Sequence, residues 1–174
     1  SRIATVAAGY ADGYLRSLGN TAYLAVISVT LIVLLSALAG WRLCRTKTRL
    51  SSALFSLFVF SMLIPFSSIM IPLYRVVLAL KVKNSLIGFS FVYAGLGVSM
   101  AIFLYHGFVK GIPLELEEAA AIDGCNMRHT FFSIVMPMLS PITATVVITN
   151  ALWVWNDFLL PLIGTVEFSL RMRR

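Results

Sequence analysis

Four long apolar stretches constrain this chain more than any other feature of its sequence. They lie at about residues 21–42, 53–74, 86–108 and 141–164, and none carries a lysine or arginine in its interior. Roughly 20 helical residues cross a hydrocarbon core of about 30 Å. Because an unpaired backbone group in lipid costs several kcal/mol, helices are the state that suits such stretches. The sequence therefore predicts an all-α membrane protein, with a single transmembrane domain over residues 1–174.

Composition agrees with a membrane location. Of the 174 residues 59% are hydrophobic and only 12% are charged, whereas a soluble domain carries about 25% charged residues. The net charge of +7 comes from small basic groups between the apolar stretches. No basic face is interleaved with aromatic residues, so we expect no nucleic-acid binding. Cys44 and Cys125 lack the spacing of metal ligands, and we expect neither a metal site nor a disulfide.

Two of the apolar stretches carry further signals. Pro65 and Pro72 lie within residues 53–74, where they predict a kink or a break. That break is either a packing feature or a flexible segment that lines a cavity, and the sequence leaves both open. Small residues such as Gly95 and Gly97 crowd the third stretch, which predicts close approach of another helix.

Basic residues predict the orientation of the chain. Arg42, Arg45, Lys47 and Arg49 form its densest basic group, which the positive-inside rule places in the cytoplasm. Alternation of the helices then places the loop over residues 110–140 on the same side.

That loop contains four of the chain's seven acidic residues, all within residues 115–123. Carboxylates early in a helix favour its dipole, alanines at 119–121 favour helix, and Gly124 suits a left-handed helix end. A second short helix is predicted from about residue 126 to residue 136. Because anionic lipids repel carboxylates, this helical hairpin suits a soluble protein partner better than the lipid surface.

The spacing of residues in this loop resembles the EAA loop of the permease subunits of bacterial ABC importers. The matching residues are Glu118, Ala119, Ala120, Gly124, Ile134 and Pro137. Met136 stands where the family usually has leucine, an exchange that preserves shape and polarity. The resemblance implies a coupling helix seated in a cleft of a separate ATPase subunit. It implies a charge contact for Glu118, a bend at Gly124, and a place for Asp123 beside them.

Three further stretches look like the permeases of carbohydrate importers: IPLYRVVLALKVKNSLIG, IPLELEEAAAIDG and WNDFLLPLI. The resemblance covers residues 20–164 and implies a multi-pass protein of the bacterial inner membrane, without a cofactor or enzymatic activity of its own. It also implies a second permease subunit, an extracytoplasmic solute-binding protein and a sugar substrate as partners. Such permeases usually have six spans, and TVEFSLRMRR departs from their final helix, so we expect a fragment with about four spans.

Candidate substrate residues lie in the last apolar stretch. At about 100° per residue, Asn150, Trp153 and Asp157 share one helix face. A polar face with an aromatic plate suits a sugar ring. The alternative is that these residues anchor the outer membrane interface or form interhelical hydrogen bonds.

Other functions remain open at this point. The chain has no GxxxxGK[ST] phosphate loop, so any ATP hydrolysis would come from another subunit. An ABC permease for a polyamine, phosphate or peptide is one alternative, and a membrane scaffold is another. A proton-coupled secondary transporter or an intramembrane enzyme needs ionisable groups in several spans, and Asp157 is the only acidic residue in the four stretches.

Overall fold

A computed structural model describes residues 2–80 and 85–157 of the chain. Its fold consists of helices. They are α1 (Arg2–Arg45), α2 (Arg49–Ser61), α3 (Phe66–Ala79), α4 (Leu86–Val109), α5 (Glu115–Ile122), α6 (Met127–Met138) and α7 (Ser140–Asn156). Helix α6 includes one wider π turn over Phe131–Val135. These residues contain no strand, and the predicted all-α fold is confirmed.

Two helices are long and apolar enough to cross a membrane: α1 over Leu18–Arg45, and α4. They contain the predicted stretches 21–42 and 86–108. The pair α2 and α3 is bent by 105° and the pair α6 and α7 by 75°, so up to four spans result if each bent pair is one span. Helix α7 covers the first part of the predicted stretch 141–164, whose end after residue 157 lies outside the described residues.

The second apolar stretch is broken at one of its two prolines. Helix α2 ends at Ser61, and α3 begins after Pro65, which has φ −66° and an extended ψ of 140°. Proline has no backbone N–H to donate and is tolerated best at a helix start. Pro72 lies inside α3 without ending it. The predicted break is therefore confirmed at Pro65.

Helices α1 and α4 form the most extensive helix contact in the described part of the chain. A Cβ atom placed on Gly40 of α1 would lie 2.8 Å from Tyr105 Cβ and 3.0 Å from the backbone nitrogen of His106. A Cβ atom on Gly97 of α4 would lie 2.6 Å from the side chain of Ile32. Gly95 has no atom within 4 Å of such a position. Close approach at the third stretch is thus confirmed at Gly97 and not at Gly95.

The main hydrophobic core lies between α1, α4 and α7 and continues into the loop that follows α4. Ile32, Ala101 and Val146 are fully buried within the bundle. The same cluster includes Phe131 and Val135 of α6. The loop is therefore packed against the end of the bundle by apolar side chains, which fixes its position relative to α1 and α4.

Replacing Gly40 with alanine is expected to destabilise the protein. The added methyl group would meet the backbone of α4, and overpacking of this kind costs about 1–3 kcal/mol. Gly95→Ala is the matched control, because alanine favours a helix by about 0.5–1 kcal/mol over glycine and the site is open. Thermal unfolding in detergent should show a lower midpoint for Gly40→Ala alone. Equal midpoints for the two variants would contradict the close contact.

Candidate functional site

The loop between α4 and α7 is a helical hairpin. Helix α5 starts directly after Pro113 and Leu114, and its first turn holds Glu115, Glu117 and Glu118. These carboxylates lie where the positive end of the helix dipole stabilises them. The charge pattern of its first turn therefore favours α5 as a helix, as the sequence predicts.

The turn between α5 and α6 is closed by its own backbone. Gly124 has φ +80°, a conformation that side chains other than glycine disfavour. Its N–H donates to the Ala121 carbonyl at 3.1 Å, and the Cys125 N–H donates to the Ala120 carbonyl at 2.9 Å. These two bonds satisfy carbonyls at the end of α5. The predicted helix end at Gly124 is confirmed.

Helix α6 has its own start signal and a widened middle. The Asn126 side chain accepts a hydrogen bond from the His129 N–H at 2.8 Å, which caps the new helix. The π turn over Phe131–Val135 ends two residues before Pro137. Proline lacks an N–H and its ring clashes with the carbonyl four residues earlier in a regular helix. The wider turn accommodates Pro137 within α6.

The two faces of α5 differ in exposure. Ala120 is buried and Glu117 is partly buried, so this face lies toward the bundle. Glu118 and Ala119 are exposed on the other side. Ile122 is also on this outer face, and 87% of its surface is exposed. An isoleucine this exposed beside carboxylates is a feature that the sequence analysis missed, although Ile122 follows Glu118 by one helical turn.

The remaining predicted coupling residues lie at several depths. Asp123 is exposed at the end of α5, Ile134 is half-buried in the π turn, and Pro137 is exposed in α6. Glu118, Ala119 and Asp123 are therefore all exposed on the hairpin. Ala120 belongs to the packed side.

Glu117 joins the loop to the end of α1. One of its carboxylate oxygens accepts a hydrogen bond from Arg45 Nε at 2.8 Å, and the other accepts from Trp41 Nε1 at 3.0 Å. A second guanidinium nitrogen of Arg45 donates to the Ile112 carbonyl at 2.8 Å. The side chains of Arg45 and Glu117 are only 18% and 11% exposed, which limits screening by water. We call Trp41, Arg45 and Glu117 the clamp.

The end of α1 also contacts α6. The ring of Trp41 lies 5.1 Å from the ring of Phe131, centre to centre. Arg42 donates to the sulfur of Met127 at 3.4 Å. Both helices of the hairpin are therefore attached to the last turn of α1. The basic group, which starts in this turn, lies at the same end of the bundle as the acidic loop.

The candidate substrate residues lie at contacts between helices. Asp157 accepts a hydrogen bond from the Tyr93 hydroxyl at 3.0 Å, and Trp153 packs edge-on to the Tyr93 ring at 5.6 Å. Asn150 is buried, and its Nδ2 donates to the Val146 carbonyl at 2.8 Å. Its oxygen lies 2.8 Å from where a Cβ on Gly97 would be. Interhelical bonding, one of the two interpretations of this face, is thus present at Asp157.

Apolar helices long enough to cross a membrane, and a helical hairpin that a clamp joins to α1, are features of a helical, multi-pass membrane protein. The family model for the inner membrane component of binding-protein-dependent transport systems matches residues 32–166. The chain belongs to this family. The match begins within α1 and includes the hairpin and α7, and it confirms the family predicted from the loop.

Several curated permeases resemble the chain over most of its length. It is 39% identical over 142 residues to a probable starch degradation products transport system permease protein, AmyC, of Thermoanaerobacterium thermosulfurigenes, which covers 82% of this chain and 52% of the relative. It is 39% identical over 140 residues to the melibiose/raffinose/stachyose import permease protein MelC of Bacillus subtilis, covering 80% and 51%. The multiple sugar-binding transport system permease protein MsmG of Streptococcus mutans is 36% identical over 156 residues, covering 88% and 56%. The chain spans about half the length of these relatives.

Gly124→Ala is expected to loosen the hairpin. The site has no atom within 4 Å of an added Cβ, so the cost comes from the left-handed backbone alone, about 1–2 kcal/mol. Gly124→Asn is the control, because asparagine tolerates this conformation better. Backbone amides at the end of α5 should exchange hydrogen faster in the alanine variant than in the unmodified protein. The asparagine variant should change less. Equal exchange rates in the two variants would contradict the expectation that the left-handed backbone at Gly124 causes the loss of stability.

Proposed function

We propose that the chain is part of a permease subunit of an ATP-driven sugar importer. In this proposal its spans contribute to the translocation pathway, and the hairpin over residues 110–140 couples them to a separate ATPase subunit. The observation that carries the proposal is the outer face of α5, where Glu118, Ala119 and Ile122 are exposed together at one end of a membrane bundle.

The chemistry of that face favours a protein partner. An exposed apolar side chain next to charged groups suits an interface with an apolar centre and a polar rim. A lipid surface is a poor alternative, because anionic headgroups repel Glu115 and Glu118. In our proposal Ile122 enters an apolar pocket of the ATPase, and Glu118 pairs with a basic residue at the edge of that pocket.

In this proposal the end of the bundle that carries the hairpin faces the cytoplasm. The basic residues in the last turn of α1 and directly after it favour the cytoplasm, and the clamp joins Arg45 to the loop. An ATPase acts where ATP is present, so the cytoplasmic side is also the side on which the proposed docking must occur. The sequence lacks a phosphate-binding loop, which agrees with hydrolysis by a partner.

The substrate class in this proposal comes from the relatives. Their printed names refer to starch degradation products, to melibiose, raffinose and stachyose, and to multiple sugars. We therefore propose a carbohydrate, delivered by an extracytoplasmic solute-binding protein to a pathway shared with a second permease subunit. Asn150, Trp153 and Asp157 stay proposed pathway residues. Trp153 is the best placed, because 37% of its surface is exposed.

Substitutions on the outer face of α5 test the docking. Glu118→Lys reverses a charge and Ile122→Asp places a carboxylate where an apolar anchor is proposed, and loss of a central interface contact lowers affinity by roughly tenfold or more. Both variants should lose co-purification with the ATPase subunit, whereas Glu118→Gln and Ile122→Leu should retain most of it. Normal assembly and transport by both disruptive variants would overturn the coupling role of the hairpin.

Uptake of radiolabelled solutes tests the substrate class. Cells that carry the complete transporter should take up an oligosaccharide, and unlabelled sugars should compete for that uptake. Labelled polyamine, phosphate and peptide serve as controls. Import of one of these controls, with no sugar imported, would replace carbohydrate by that solute class and leave the family unchanged.

A further inference from the structure

We infer that the clamp of Trp41, Arg45 and Glu117 carries the displacement of the hairpin to α1. The inference rests on the proposed docking of the hairpin to an ATPase. It assigns positioning roles to residues outside the outer face of α5, and it adds α1 to the helices that move with the loop.

The path to α1 has to be noncovalent. The hairpin is joined through the backbone to α4 on one side and to α7 on the other. Trp41 and Arg45 are 76 and 72 residues away from Glu117 in sequence. A displaced hairpin therefore pulls directly on α4 and α7, whereas its own contacts with α1 are made by side chains at the bundle end.

Glu117 is suited to transmit displacement because both of its oxygens are held. Each accepts a hydrogen bond from a different residue of α1, so the carboxylate cannot rotate without losing one of them. Hydrogen bonds to a charged group are stronger and more directional than neutral ones. Arg45 also holds the Ile112 carbonyl ahead of α5, which fixes the start of the hairpin to the same guanidinium.

The attachment point on α1 is itself rigid. Gly40 directly precedes Trp41 and brings the backbone of α1 against Tyr105 and His106 of α4. The ring of Trp41 packs on Phe131 of α6. A force on Glu117 therefore acts on a part of α1 whose local position is fixed by packing, so the displacement is passed to α1 and is not absorbed by local bending.

A purely structural contact predicts a different result from a transmitting one. If the clamp only stabilised the fold, its loss would lower the amount of folded protein and reduce ATP hydrolysis and transport together. If it transmits motion, its loss leaves docking and hydrolysis in place and lowers the number of solute molecules imported per ATP. The ratio of transport to hydrolysis separates these roles.

The test uses the complete transporter in proteoliposomes. Glu117→Gln keeps the shape of the side chain and offers one acceptor oxygen, while Trp41→Phe keeps a ring on Phe131 and removes the N–H donor. Glu115→Gln is the matched control, an exposed glutamate in the same helical turn. Each clamp variant should lower transport per ATP, because the link from Glu117 to α1 then contains one hydrogen bond fewer. The control should be unchanged.

The double variant adds a second readout. If Trp41 and Glu117 act through one contact, Trp41→Phe with Glu117→Gln should lose no more than the worse single variant. Unchanged transport per ATP in the clamp variants, with the ATPase still bound, would overturn the inference and leave the docking intact. A parallel fall in hydrolysis and transport would also overturn it. Failure of the unmodified permease to bind the ATPase would overturn the docking as well.

Discussion

The close packing of α1 on α4 is the contact on which the rest of the structure depends. In lipid the hydrophobic effect does not drive helices together, so association relies on close van der Waals packing and on hydrogen bonds between helices. Gly40 and Gly97 allow that packing at separate places along the pair. The core around Ala101 and Tyr105 is built on this contact, and α7 packs against its side. The hairpin is positioned because the end of α1 is positioned.

A carboxylate lies at each of the two ends of the bundle and joins different helices there. At one end Tyr93 and Asp157 connect α4 to the residue that follows α7. At the other end Glu117 connects the hairpin to α1. Both use a carboxylate that accepts from a buried aromatic donor, Tyr93 or Trp41, and both join segments that are far apart in sequence. Hydrogen bonds that involve carboxylates therefore join the helices at both ends of the bundle, and neutral pairs such as Tyr105 with Thr143 join helices between them.

Much of this architecture follows from the sequence, because hydropathy and helix-end signals are local. The stretches 21–42 and 86–108 lie within helices, and Gly124 ends α5 as its residue type predicts. The break at Pro65 was predicted, whereas its angle of 105° depends on packing that no local pattern encodes. Glu115, Glu117 and Glu118 are alike as residue types, so the sequence gives no reason to pair Glu117 with Arg45. That pairing depends on the position of the end of α1 relative to α5, which is set by tertiary packing.

Part of the candidate site cannot be predicted from the sequence, because it too depends on tertiary packing. Ile122 continues the outer face of Glu118 on a helix of 3.6 residues per turn. Its exposure, however, depends on which face of α5 packs on the bundle. Asp157 was assigned two alternatives, and its bond with Tyr93 favours the one that joins helices. Site residues that belong to a sequence motif can thus be predicted. Exposure and pairing of side chains cannot, because they depend on tertiary contacts.

The turn at Gly124 has a consequence for how the hairpin meets another protein. Its carbonyls are satisfied by the N–H groups of Gly124 and Cys125, and Asn126 caps the next helix. The turn therefore needs neither water nor a partner to keep its shape. A surface that is ordered before contact loses little conformational entropy on association. The hairpin is preorganised, so interaction free energy goes into affinity and not into folding the loop.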